Sequence, residues 1–456
     1  MASSYCFNIF NTELKKVLII YPHFPPSNLA GVHRPRLFAQ HLPEFGWEPV
    51  ILTVHEKYYE EKNDWNLVKL LPPTLRIEKV KAFNVGKFRL VGDIGLRAFF
   101  QLYHKAKKLI KLEQFDFLYI PIPSFYTALL GRLLHASTGI KYGIDYIDPW
   151  VHEFAGSERI FSRHWWSTKL SSLLEPIAVK KVSLITGVAA GYYLPVFERN
   201  PQLLKQKVVH GAMPYGGEMK DHEALQHLNL SPYLFKKKEG VTQIIYAGAM
   251  LPKAYKPLEM IFKSIHENAR DFKNVEFHFV GTGSSPNDSE GYNVKLYAEK
   301  YGLWNKVVFE YPSRIPYLDV LIHLEAADGI FILGSTEPHY TPSKTYQGVL
   351  SGKPLLAVLH AQSTAVEIVR NSGAGMVLGF NGEDKVEDIY LHFPEVFRQY
   401  QQLITKFKPS SVNMKIFENY SAKNVTAQLA VLLNQATGIY QVYHDNSKNI
   451  SDSSRL

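Results

Sequence analysis

The sequence has little cysteine: Cys6 is the single one among 456 residues. That excludes a disulfide framework and a zinc or iron–sulfur site built from several thiolates. No apolar run approaches the length of about 18 residues that a membrane-spanning helix needs. Residues 1–16 lack the basic and apolar regions of a secretory signal. Glycine and proline, 29 and 26 residues, are not enriched, which excludes collagen and low-complexity linkers. These absences predict a globular protein of a reducing, cytoplasmic compartment.

The charge balance is moderately basic, because 51 Lys and Arg residues against 42 Asp and Glu residues give a net charge of +9. Such a surplus favours an anionic partner, namely a nucleotide, a phosphorylated substrate, a lipid surface or nucleic acid. A surface that is merely basic explains the charge equally well. No nucleic-acid-binding motif accompanies it, so we expect no nucleic-acid partner.

Short apolar runs alternate with helical segments along most of the chain, which predicts an α/β fold with parallel sheets. Strands are predicted at 16–21, 49–54, 117–120, 142–147 and 184–187, and again at 243–247, 275–280, 306–310, 329–333 and 354–358. Helices are predicted at 34–45, 96–112, 160–182, 257–268, 294–301, 317–326 and 344–350, with further helical sequence over 391–435.

The alternating pattern is interrupted between Pro214 and Gly240, which divides the chain into two doubly wound Rossmann-like domains. We place the first domain at 1–215, with residues 1–15 as an extension, and the second at 216–395. C-terminal helices over 396–438 and a polar tail over 439–456 follow. Open parallel sheets bind ligands at the carboxyl ends of their strands, so two such domains face to face predict a central ligand cleft.

The loop between the first strand and the first helix ends at Gly31, where the backbone can approach a ligand closely. The free N–H groups of the helix start, together with Arg34 and Arg36, suit a phosphate. The alternative is an ordinary connecting loop with solvated arginines.

The segment from Asp145 to Trp150 ends a predicted strand, and it places Asp148, Trp150 and His152 at the cleft. A carboxylate in that position can hydrogen-bond substrate hydroxyls or accept a proton. The alternative is a turn aspartate stabilised by Pro149.

The most specific pattern lies between a strand and the helix at 344–350. Pro342 fixes the entry, Ser343 is the expected N-cap, and Lys344 lies in the first turn. A cation, a hydroxyl and a helix dipole together form a diphosphate site. A well-capped core helix is the alternative.

Other signals are weaker. Gly281 and Gly283 follow a strand, but the third glycine of the dinucleotide fingerprint is missing, so a turn near the cleft is favoured over an NAD site. Lys253 and Lys256 follow the first strand of the second half and could reach a diphosphate, although surface lysines are common.

The helices at 96–112 and 160–182 mix aromatic and basic residues, which suits either an anionic membrane surface or an ordinary core face with solvated lysines.

Over about residues 15–435 the sequence resembles the GT-B glycosyltransferases, specifically the retaining family 4 group. The resemblance is strongest around Gly31, 145–150, 244–248, 276–283 and 341–357. In the last segment, Pro-Ser-Lys-Thr-Tyr-Gln-Gly-Val-Leu-Ser-Gly-Lys-Pro is similar to the family's Pro-Ser-Lys…Glu…Gly-Lys-Pro block.

The resemblance implies an enzyme of polysaccharide biosynthesis. The cysteine usage and the two mixed aromatic and basic helices add the expectation of a cytoplasmic protein that is peripheral at the inner membrane face. It would transfer a hexosyl or related sugar from a nucleotide sugar to a saccharide or lipid-linked acceptor. Retained configuration, no metal and no other cofactor are implied as well. Residues 310–313 would lie near the base. The catalytic residues would be Asp148 and Lys344. The donor-binding set would be Gly31, Lys253, Lys256, Gly281, Gly283, Glu337, His339, Ser343, Lys344 and Gln347, and the acceptor-side set Arg34, Arg36, Trp150 and His152.

Three positions depart from the family pattern. The carboxylate that binds the ribose matches Gln347, which is neutral. The other motif carboxylate falls on His339 by spacing, with Glu337 two residues earlier. The basic residue usual after the strand-end glycine is Ala249. These departures keep two alternatives open: a catalytically weakened GT-B-like binding or scaffold protein, and a nucleotide-sugar epimerase on the same fold.

Overall fold

The structure is a computed structural model that describes residues 14–84, 92–151, 162–283, 289–338 and 340–438. The first sheet comprises β1 (Lys15–Ile20), β2 (Trp47–Val54), β3 (Arg76–Val80), β4 (Phe117–Ile122), β5 (Tyr142–Tyr146), β6 (Leu184–Gly187) and β7 (Val209–Ala212). The second comprises β8 (Thr242–Ala247), β9 (Val275–Val280), β10 (Val308–Tyr311), β11 (Gly329–Leu333), β12 (Leu355–His360) and β13 (Gly375–Phe380).

The helices of the first domain are α1 (His33–His41), α2 (Trp65–Val68), α3 (Ile94–Arg97), α4 (Phe99–Leu112), α5 (Ala128–Thr138), α6 (Arg163–Val179), α7 (Ala190–Arg199) and α8 (Gln202–Lys205). The remaining helices are α9 (Met219–Glu223), α10 (Tyr255–Glu267), α11 (Lys295–Lys300), α12 (Tyr317–Ala326), α13 (Lys344–Leu350), α14 (Thr364–Ser372), α15 (Glu387–Lys406), α16 (Met414–Phe417) and α17 (Ala422–Thr437).

Both sheets are parallel throughout and doubly wound. The strand order is β3-β2-β1-β4-β5-β6-β7 in the first and β10-β9-β8-β11-β12-β13 in the second. The order reverses between β1 and β4 and between β8 and β11, and these reversals are where such sheets bind ligands. The predicted α/β fold of two Rossmann-like domains is confirmed.

Strands buried on both faces carry continuous apolar runs, and these are the strands that the sequence reveals. All six residues of β12 are buried, and its predicted position agrees to within two residues. The three strands without a prediction, β3, β7 and β13, are edge strands with mixed burial. Half-exposed strands lack a continuous apolar run, so pattern alone did not identify them.

The C-terminal helices belong to different domains. Helix α15 packs against α10 of the second domain, and the predicted boundary between 395 and 396 falls inside it. Helix α17 crosses back to the first domain and packs against α1, where Leu429 and Leu433 share a core with Val17 and Phe38. The chain therefore passes between the domains twice, and the first domain is completed by residues more than 400 positions after its first strand.

Helices α4, α5 and α6 pack side by side on the first domain. Across the described ranges, no helix combines the length and the apolar character that crossing a bilayer requires.

Candidate functional site

A cavity of about 590 Å³ lies between the two domains, at the carboxyl ends of both sheets. This volume suits a ligand of nucleotide-sugar size. The first-domain wall includes Tyr21, His23, Gly31, His33, Arg36, Ser124, Asp148 and Tyr192, and the second-domain wall includes Gly248, Gly281, Arg314, Tyr317, Tyr340, Ser343, Lys344 and Gln347.

Lys344 is the first residue of α13 and is one of the two cationic residues, with Arg314, that the lining of the second-domain wall includes. Its Nζ is buried and has no hydrogen-bond partner among the residues that the structure describes. It lies 3.6 Å from the centroid of the Tyr246 ring, a cation–π contact. Burial lowers the pKa of Lys344 to about 7. An amine that has no counter-ion in the described part of the chain is suited to binding an anion at the cleft.

Gly248 allows the backbone after β8 to approach this amine. Its φ of +129° lies in a region that side chains rarely adopt, and a Cβ there would lie 3.1 Å from Lys344 Nζ. Ser343 occupies the N-cap position of α13 as predicted, but its side chain makes no capping hydrogen bond. Its backbone is already helical, and the residue lines the cleft beside Lys344.

Gln347 lines the cleft one turn after Lys344, but a neighbouring imidazole holds its amide. His222 Nε2 lies 3.0 Å from Gln347 Oε1, and His222 Nδ1 lies 3.0 Å from Glu325 Oε1. The segment that connects the domains thereby fixes the side chain at the position where the family has a carboxylate.

Asp148 stands on the first-domain wall, with its carboxyl open to the cleft. It forms no hydrogen bond or ion pair with any residue of the described ranges, and the protein around it raises its pKa to about 6. A carboxyl group that titrates near neutrality in a cleft is a candidate for binding or proton transfer. Nearby, Gly31 is required by packing, because a Cβ there would lie 2.2 Å from Tyr21 Oη.

The two predicted acceptor-side arginines are buried in ion pairs. Arg34 donates to both carboxylate oxygens of Asp145, at 2.5 and 2.9 Å, and to the carbonyls of Met213 and Pro214, both at 2.8 Å. It does not line the cavity. Arg36 lines it, but pairs with Asp221 at 2.5 and 2.9 Å. Helix α1 packs against the sheet and the connecting segment, so both guanidinium groups turn inward, and the alternative of solvated arginines is wrong at these positions.

Other predicted residues also lie apart from the cavity. Trp150 is buried and stacks on Phe125, with ring centroids 6.2 Å apart. Lys253 pairs with Glu337 at 3.1 Å, and Lys256 pairs with Glu383 at 2.9 Å, both at the protein surface. The cavity lining includes Gly281 but not Gly283. His152 and His339 lie outside the described residues.

Glu310, predicted to lie near the base, is not among the residues that line the cavity. It accepts hydrogen bonds from the backbone N–H groups of Asn293, Val294 and Lys295, and so caps the start of α11. The backbone carbonyls of residues 311 and 312 accept hydrogen bonds from the backbone N–H groups of Gly281 and Gly283.

Two residues of the second domain reach across the cleft, and sequence reasoning missed both. Arg314 donates to the carbonyl of Asn28 at 3.1 Å. Tyr317 donates its backbone N–H to Asp64 at 2.7 Å and its hydroxyl to Asp221 at 2.8 Å, and its ring lies 4.2 Å from that of His33. These contacts close one side of the cavity. The sequence offers one indication of both residues: they follow β10, a strand of the second sheet.

Metal-ligating side chains are sparse: in the described part of the chain, no three His, Cys, Asp or Glu residues are grouped so that they could hold an ion.

Two doubly wound parallel sheets that face each other across a ligand-sized cleft define the GT-B fold. No protein-family model and no curated protein sequence matches this chain. Solved structures do match it over nearly its whole length.

A glycosyltransferase from Rickettsia africae is 15% identical, with 95% of this chain and 100% of that chain covered and a TM-score of 0.58. Sucrose-phosphate synthase from Thermosynechococcus elongatus is 12% identical, with 93% and 99% covered and a TM-score of 0.60. Anabaena HepE in complex with UDP and glucose is 14% identical, with 92% and 100% covered and a TM-score of 0.57. At these identities the likeness establishes the fold and nothing finer.

Proposed function

We propose that this protein is a glycosyltransferase that moves a sugar from a nucleotide-sugar donor to a saccharide or lipid-linked acceptor. The observation that carries the proposal is the buried, unpaired Nζ of Lys344, which lies beside Gly248 on one wall of a cleft that has Asp148 on the other. The bound UDP and UDP-glucose of the Anabaena structures, which share the fold, support a nucleotide-sugar donor.

In this proposal Lys344 and the hydroxyl of Ser343 hold the donor diphosphate, and Gly31 and Gly248 let the backbone approach it closely. The charge that develops on the leaving diphosphate is stabilised by Lys344 and by oriented backbone N–H groups. Asp148 hydrogen-bonds hydroxyls of the donor sugar or the acceptor. The resemblance to family 4 adds three finer points to this proposal: the anomeric configuration is retained, the donor carries a hexosyl group, and the reaction needs no metal.

Thermal unfolding with UDP, GDP, ADP and CDP tests the donor site. One nucleotide at 100 times its Kd is expected to stabilise the wild type by about 2.7 kcal/mol. Lys344→Ala should lose this stabilisation, because it removes the only proposed cation for the diphosphate. Lys256→Ala is the matched control: Lys256 pairs with Glu383 at the surface and should respond like the wild type.

Absence of stabilisation by all four nucleotides would contradict the donor site and favour the scaffold alternative. The hydrogen bond that ties Gln347 to His222 favours that alternative, because it occupies the amide at the expected ribose position. Conversion of a sugar nucleotide without any acceptor, seen by chromatography, would instead identify an epimerase.

We also propose that α6 rests on an anionic membrane surface. Trp166, Leu170, Leu173 and Ile177 are exposed at spacings of four, three and four residues, so they form one apolar stripe, and Lys169 is exposed on the same helix. Apolar side chains that insert among lipids beside cations suit an anionic interface.

Leu173→Glu is therefore expected to weaken binding to phosphatidylglycerol vesicles about tenfold or more, since burial of one leucine contributes about 1.5–3 kcal/mol. Vesicle sedimentation measures it. The control is Leu296→Glu, on α11 of the second domain, because Leu296 is exposed to a similar extent, 72% against 66%. Equal binding of both variants and the wild type would contradict the proposal.

A further inference from the structure

The loop after β1 carries the imidazole of His23, which pairs with a carboxylate from a second loop. His23 Nδ1 lies 2.9 Å from Glu61 Oε1, and the hydroxyl of Ser27 donates to the same oxygen. The Glu61 side chain is nearly buried, at 5% exposure, whereas the His23 side chain keeps 18%. A β-bridge between Ser27 and Asn63 joins the two loops, so the carboxylate is held in place behind the imidazole.

The position of the ring hydrogen of His23 follows from these contacts. Burial alone raises the pKa of Glu61, but the hydrogen bonds from His23 and Ser27 outweigh it, and the pKa lies below its usual range. An ionised carboxylate can only accept hydrogen bonds, so Nδ1 of His23 carries the hydrogen. In the neutral ring Nε2 then holds the lone pair.

His23 lines the cavity together with Asp148 and Gly31. Its Nε2 makes no hydrogen bond to any residue in the described ranges. A base within a cleft, oriented by a third group behind it, is the arrangement that enzymes use to deprotonate a hydroxyl.

We propose that His23 is the general base that takes the proton from the acceptor hydroxyl, and that Glu61 positions it. This inference rests on the glycosyl transfer proposed above. The acceptor oxygen forms a bond to the anomeric carbon, and the bond from that carbon to the diphosphate oxygen breaks with its electron pair. The hydroxyl proton moves to His23 Nε2, and the imidazolium, stabilised by Glu61, later releases it to water.

The position of the base also bears on stereochemistry. His23 belongs to the first-domain wall, whereas Lys344 belongs to the second-domain wall. A base on the protein, unlike the leaving diphosphate, can activate a hydroxyl on the face of the sugar opposite the leaving group, and displacement from that face inverts the anomeric configuration. In the retaining route that the resemblance implies, the leaving diphosphate takes the proton instead. A base at His23 therefore keeps the glycosyl transfer and favours inversion.

The test uses UDP-glucose, GDP-glucose and ADP-glucose as donors and octyl glucoside as the acceptor. His23→Gln keeps an N–H group for Glu61 but cannot accept a proton. We expect its turnover to fall about 10²–10⁴-fold, with donor affinity, measured by calorimetry, within about twofold of the wild type. In His23→Ala, added imidazole should restore part of the turnover, which a purely structural role would not allow. The product of the wild type should have inverted configuration by NMR.

The outcomes separate this inference from the proposed function. If His23→Gln binds donor and turns over like the wild type, His23 is not the base, but the proposed glycosyl transfer is unaffected. A product with retained anomeric configuration would have the same meaning. Donor binding without turnover in the wild type would also overturn the base. No binding of any of the three donors would overturn both proposals together.

Discussion

Replacement of Arg34 by methionine is expected to lower the free energy of unfolding by about 3–5 kcal/mol. The guanidinium and the carboxylate of Asp145 are both fully buried, and they form a two-pronged ion pair. Methionine fills much of the volume but leaves the carboxylate without the guanidinium, beside the hydroxyl of Thr186 at 2.8 Å. It also removes the donors to the carbonyls of Met213 and Pro214, where the chain leaves the first domain.

Urea unfolding followed by tryptophan fluorescence and circular dichroism measures this effect. The double variant Arg34→Met/Asp145→Leu should recover most of the loss, because removing both partners leaves no unpaired buried charge. The control is Arg76→Met: Arg76 pairs with Glu78 and Glu113 at the surface, and such exposed pairs contribute about 0–1 kcal/mol. Unchanged stability of Arg34→Met, together with lost acceptor binding, would instead restore the acceptor-side role predicted from the sequence.

Arg34 illustrates what the sequence conveys and what it does not. The order of strands and helices follows from apolar periodicity, and it predicts the elements of the sheet interiors closely; β6, β9 and β11 agree to the residue. The edge strands β3 and β13 lack that signal. For the site, position after a strand correctly predicts that Lys344 and Asp148 reach the cleft.

Position does not predict the direction of a side chain. Trp150 follows the same strand as Asp148 but packs into the core, because residues next to each other in a turn face different ways. Pairings between distant loops leave no local pattern either: His23 and Glu61 are 38 residues apart, and each resembles an ordinary loop residue until the fold joins them.

The affinity of the cleft for a sugar nucleotide is expected to fall by up to about tenfold per pH unit above pH 7. In the free protein, burial lowers the pKa of Lys344 to about 7, so the amine is neutral in most molecules at pH 8. A bound diphosphate favours the charged amine and raises its pKa, so binding above pH 7 must take up a proton. Below pH 7 the amine is already charged, and this dependence disappears.

Two neighbouring groups, Asp148 and His33, keep one protonation state from pH 7 to 9. Asp148, with a pKa of about 6, is ionised throughout this range, and His33, whose pKa burial lowers to about 3, is neutral. The diphosphate of a sugar nucleotide is a diester, so it lacks the second phosphate ionisation near pH 6. Calorimetry in two buffers of different ionisation enthalpy should show proton uptake that rises from near zero at pH 6 towards one at pH 9.

Asp148→Asn should keep this pH dependence, whereas Lys344→Met should lose it together with most of the affinity. Constant affinity from pH 7 to 9 in the wild type would contradict a role of Lys344 at the diphosphate. Without ligand, Lys344→Met is expected to be more stable than the wild type at pH 6, because it removes a buried charge that has no counter-ion among the described residues, and its thioether still packs on Tyr246. If the lysine were retained for packing alone, Lys344→Met would be less stable than the wild type. A gain of stability combined with a loss of binding would identify a charge that the fold keeps buried for its ligand.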